Sequence, residues 1–93
     1  MTLLAELDLL KRARTALRSG DGGQALELLG QRAREHTGNG LDAEATLLRI
    51  EALAALGRQG EASELATRFV RENPNSALGD RAKSFIRATV PRP

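Results

Sequence analysis

Residues 56–76 read LGRQGEASELATRFVRENPNS. Gly57 interrupts what precedes it. Ala62, Leu65, Ala66, Phe69 and Val70 then recur at the spacing of a helix with one apolar face. Pro74 closes the run, because its ring supplies no N–H and crowds the preceding turn. The same plan is written earlier, in LRSGDGGQALELL at residues 17–29: a leucine-bearing helix, a glycine, a short polar link, an alanine and a second apolar helix. Gly20 corresponds to Gly57 and Ala25 to Ala62, a common offset of 37 residues. Two-helix units repeating every roughly 34–47 residues mark stacked helical arrays.

The rest of the chain extends the pattern in both directions. Leu3, Leu7, Leu10, Ala13 and Leu17, widened by Leu4, Leu9 and Ala16, predict a first amphipathic helix that ends at Ser19-Gly20. Asp21 stands three residues before Gln24, a capping-box arrangement that opens a second helix running to about His36. The glycines of HTGNG turn the chain. Asp42 is expected to cap a third helix carrying Leu47, Ile50, Leu53, Ala54 and Leu56, which Gly57 and Gly60 stop. Ser76 is expected to cap a fifth helix with Ala77, Leu78, Ala82, Phe85 and Ile86, fading into the prolines of the terminus. The expected fold is therefore all-α: one domain over residues 1–93, with repeat one at about 3–36, repeat two at about 42–73 and a capping helix at about 76–89.

Composition agrees with helices. Of the 93 residues 41% are hydrophobic, but only Phe69 and Phe85 are aromatic, which favours packing through leucine and alanine over a β-branched sheet. Fourteen basic against 12 acidic residues leave a net charge of only +2, too little to announce nucleic acid. Without cysteine there is no disulfide, thiolate nucleophile or sulfur-ligated zinc. Glu6 and Asp8 interrupt what would be the apolar core of a signal peptide, and no window offers the roughly 18–20 apolar residues of a membrane span. A soluble domain is expected, cytoplasmic by default or periplasmic if it belongs to an anchored protein.

On these residues the chain resembles the tetratricopeptide repeat (TPR) family. In the second copy Gly57 lies at the family's inter-helix turn, Ala62 at its small position and Pro74 at its closing proline. EASELATRFVRENPNSALGDRA is also similar to the variant repeats of bacterial cell-envelope assembly lipoproteins. The first copy keeps Ala13, Gly20 and Ala25, with Thr37 in place of the proline, so the resemblance covers roughly Leu3 to Phe85. It implies a scaffold whose first helices line a concave binding surface. The family's ligand-facing positions fall on Leu7, Leu10, Arg14, Leu17 and Arg18 in one copy, and on Glu44, Leu47, Glu51, Ala54 and Ala55 in the other.

Within that set, Arg14 and Arg18 are one helical turn apart and offer a fork to a partner's carboxylate. Leu7, Leu10 and Leu47 would give an apolar groove for an incoming helix or extended peptide. The expected function is a non-enzymatic protein–protein interaction or self-association module, the second version using an open end of the array to join two copies. No cofactor or metal is expected. His36 stands alone as a histidine, without cysteine or a second imidazole, and suits a helix terminus. SGDGGQ lacks the lysine and hydroxyl of a P-loop and reads as a turn. The hydroxyls of Ser63, Ser76 and Ser84 read as caps or surface groups. The alternative is a basic nucleic-acid-binding domain, using Lys11, Arg12, Arg14 and Arg18 on the first helix and Arg81, Lys83 and Arg87 on the last, although aromatics for base stacking are nearly absent.

Overall fold

The computed structural model describes residues 3–35 and 41–86. The periodic apolar stripes become five helices: α1 (Leu3–Arg18), α2 (Gly22–Glu35), α3 (Asp42–Ala55), α4 (Gln59–Glu72) and α5 (Gly79–Lys83). The described residues contain no strand. The HTGNG turn, His36, Arg87 and the proline-rich end lie outside the described residues.

Each hairpin bends the same way, and the hydrogen bonds say why. Gly20 and Gly57 both adopt φ of 79°, a left-handed conformation open to a residue without Cβ. At the first bend the Asp21 N–H donates to Ala16 O at 2.8 Å and the Gly20 N–H to Leu17 O at 3.0 Å. At the second, Arg58 donates to Leu53 O at 2.9 Å and Gly57 to Ala54 O at 3.0 Å. These are two Schellman caps with each partner displaced by 37 residues, satisfying the last carbonyls of α1 and α3 identically. Asp21 then opens α2, its Oδ1 accepting the Gln24 N–H at 2.9 Å.

The helices stack in order. α1 packs on α2, α3 on α4, and the second hairpin lies against the first through α2–α3 and α1–α3; α5 rests on α3 and α4. Among the described residues the backbone of α1 packs closely on neither α4 nor α5, nor that of α2 on α4, so the helices form an array of 51 × 29 × 19 Å. Two apolar clusters follow. Leu9, Leu10, Ala13, Leu28 and Leu29 join Ala45, Leu48 and Ala52 of α3, while Leu47, Ile50 and Leu53 on its other side join Ala62, Ala66, Phe69 and Ala82. Leu26 touches both.

The hairpins approach closely at Gly22. A Cβ there would stand 2.9 Å from Ala52 O and 3.0 Å from Leu56 Cγ, whereas one at Gly23 would meet only Asp21 Oδ1 at 3.7 Å. Gly22→Ala is expected to cost about 1–3 kcal/mol through overpacking against backbone. Gly23→Ala, on the same helix, should be near neutral. Urea unfolding of the two variants measures the difference; equal stabilities would contradict the close approach.

Several expectations are corrected. Asp42 does not cap α3: the preceding Leu41 makes no side-chain cap, and the Asp42 carboxylate is drawn to Arg32 instead. Gly60 lies in the first turn of α4, so Gly57 alone ends α3. The last helix is shorter than expected at both ends: Ser76 Oγ accepts the Leu78 N–H at 3.1 Å, a turn precedes Gly79, and after Lys83 residues 84–86, with Phe85 and Ile86, form turns and a bend. On α1, exposed Asp8, Lys11 and Thr15 stand 37 residues before Ala45, Leu48 and Ala52, which α3 buries against the first hairpin, while exposed Leu4 stands as far before Leu41, which packs there too.

Candidate functional site

Stacking brings the first helices of the hairpins side by side, and a groove of about 480 Å³ opens across them. Arg14, Leu17 and Arg18 of α1 form one wall, Glu51 and Ala55 of α3 the floor, and Arg81 with Phe85 at and just after α5 the other wall. Arg14 and Arg18 project together because they are one turn apart. Glu51 stands 37 residues after Arg14, and Ala55 as far after Arg18, so equivalent positions line one trough.

The groove is crossed by ion pairs. Arg14 Nη2 pairs with Glu44 Oε1, joining α1 to α3. Arg81 Nη2 donates to Glu51 Oε2 at 2.6 Å, joining α5 to α3; this arginine is largely exposed, while Glu51 is mostly covered. Three arginines and one glutamate line the groove, with Glu44 engaging Arg14, and Leu17 and Phe85 add partly buried apolar surface.

Of the residues expected to face a partner, Arg14, Leu17, Arg18, Glu51 and Ala55 are thus gathered in one place. Glu44 is close by through its arginine. Leu10 and Leu47 are not available to a partner: both are interior, one in each apolar cluster. Their leucine side chains fall on the stripe that packs the hairpins, which removes them from the groove. Leu7 is 42% exposed and lies toward the start of α1 with Leu3 and Leu4, away from the groove lining. Arg81 and Phe85 belong to the groove although sequence reasoning treated them only as parts of a basic cluster and an apolar stripe.

The basic cluster of α1 is divided by the fold. Lys11 and Arg12 line a separate depression with Asp8 and Asp21, and Arg12 faces Asp8 at 3.7 Å, whereas Arg14 and Arg18 turn to the groove. On the far side, Arg58 at the start of α4 holds both oxygens of Glu61 at 2.6 and 2.7 Å. That hydrogen-bonded pair draws the Glu61 carboxyl below the usual carboxylate range.

One charged constellation lies inside. Glu6 is 0% and Arg32 6% exposed, and Arg32 Nε donates to Glu6 Oε2 at 2.6 Å. Its Nη2 also reaches Asp42 Oδ1 at 2.6 Å, so one guanidinium ties α1, α2 and α3 together. The residues 37 positions on are Ala43 and Phe69, both in the second apolar cluster. The second hairpin therefore fills with a phenyl ring the place that the first fills with an ion pair.

Among the described residues no group of histidine, cysteine and carboxylate side chains is arranged to hold a metal, and no helix is long and apolar enough to cross a membrane. The chain matches no protein-family model, no curated protein and no solved structure.

Proposed function

We propose that this chain is a non-enzymatic interaction module, a short tetratricopeptide-like array that receives a segment of a protein partner along its concave face. The observation that carries this reading is the groove itself, which collects Arg14, Leu17, Arg18, Glu51 and Ala55 from equivalent turns of α1 and α3 and adds Arg81 and Phe85. An array suits recognition because burying the stripes between hairpins leaves the curved outer contour free to vary.

A photo-cross-linking side chain placed at Ala55 on the groove floor tests the reading, with one at Glu64 on the exposed side of α4 as control. In extracts of cells producing the protein, the Ala55 probe is expected to yield discrete adducts that Arg14→Glu/Arg18→Glu abolishes. Equal yields from both probes, or adducts indifferent to the charge reversal, would reject the concave face as the recognition surface.

A further inference from the structure

The charges of the groove are not equally free. Arg14 is held by Glu44 and Arg81 by Glu51, while Arg18 makes no ion pair among the described residues. The protein thus already places its own carboxylates on two of the three arginines and leaves the third open. Counting both glutamates against the three arginines, the trough still carries an excess of positive charge, beside apolar surface from Leu17, Ala55 and Phe85.

Resting on the reading of this groove as the recognition face, we propose that its partner is an acidic peptide segment and that Glu44 and Glu51 are built-in competitors for it. One ligand carboxylate takes Arg18 directly. A second displaces Glu51 from Arg81, which is the side chain free to swing because it is 60% exposed against 21% for Glu51. An apolar ligand side chain then covers Leu17 and Phe85. The intramolecular pairs reject neutral peptides, which cannot replace a carboxylate. A peptide suits the site better than a nucleic acid because the trough spans only three helices and carries one aromatic ring for base stacking.

Fluorescence anisotropy of a fluorescein-labelled glutamate-rich peptide containing a single leucine provides the test. The control is the same peptide with glutamine for glutamate, and oligothymidylate is titrated alongside. The acidic peptide is expected to bind, and to bind less as salt is raised. Glu51→Gln, which keeps the side chain's shape but removes the competitor, should tighten binding about three- to ten-fold. Arg18→Gln should weaken it about ten-fold. Should Glu51→Gln fail to fold by circular dichroism, Glu44→Gln, at a half-exposed position, is expected to act in the same direction. Tightening that is absent or reversed in a folded variant, equal binding of the glutamine peptide, or preference for oligothymidylate would overturn the proposal. If the acidic peptide fails to bind or to compete while groove-specific adducts form at Ala55, the acidic-ligand inference falls and the recognition reading stands; loss of both sinks both.

Discussion

Replacing Arg32 by alanine is expected to destabilise the domain by about 3–5 kcal/mol, because Glu6 is then left fully buried beside α2 with its principal counter-ion gone. A chain of 93 residues has roughly 5–14 kcal/mol of stability in all, so the variant should unfold some 15–30 °C lower or fail to fold at physiological temperature. The chain supplies its own remedy. The second hairpin has Ala43 and Phe69 at the positions of Glu6 and Arg32, and Gly79 at that of Asp42. Glu6→Ala/Arg32→Phe copies that solution into the first hairpin and is expected to recover most of the loss, since a buried ion pair and a well-packed apolar replacement are often close in free energy. Asp42, more than half exposed, stays hydrated when its arginine is removed. A double variant no more stable than Arg32→Ala in urea unfolding would mean that the two hairpins are not interchangeable at this position.

Phe69→Ala is expected to cost a similar 3–5 kcal/mol, by leaving a ring-sized cavity among Leu47, Ile50, Leu53 and Ala66. The damage should be uneven. α5 has five residues, too few to persist unaided, and it is held by Ala82, Leu78, Phe85 and Ile86 against the cluster that Phe69 fills. The first hairpin relies on a different cluster. Amide hydrogen exchange should therefore quicken most at Ala82 and Phe85, whose N–H groups bond Leu78 O and Ala82 O at 3.0 Å, and least in α1. Because Arg81 rides on α5, the same variant should lose groove binding before it loses the first hairpin. Uniform acceleration through all helices would contradict this division of the core.

What the sequence revealed follows from which interactions are local. Helix positions, the glycine bends and the 37-residue offset are written in periodicity and backbone freedom, and Gly20 and Gly57 duly adopt the same φ. The groove was legible in part: five of the ten concave positions line it, but Leu10 and Leu47 are interior, and Arg81 and Phe85 were missed because α5 reads in sequence only as a cover for the open end. The pairing of Arg14 with Glu44 and of Arg81 with Glu51 spans 30 residues in each case, a distance at which no spacing rule applies. The buried ion pair did leave a trace. Arg32 follows Ala25, Leu28 and Leu29 at helical intervals and Glu6 precedes Leu9, Leu10 and Ala13 likewise, so each charge sits on an apolar stripe. The burial itself comes from the structure; the match of Arg32 to Phe69 across the offset is the signal in the sequence that could have marked it as interior.

The two hairpins stack in line, which brings α1, α3 and α5 to a shared face. Nuclear Overhauser contacts in the isotopically labelled protein are expected to join α1 to α3 and α3 to α5, with none joining the backbones of α1 and α4. Strong α1–α4 cross-peaks together with missing α1–α3 contacts would show a closed bundle, in which neither the groove nor the equivalence of the two hairpins survives.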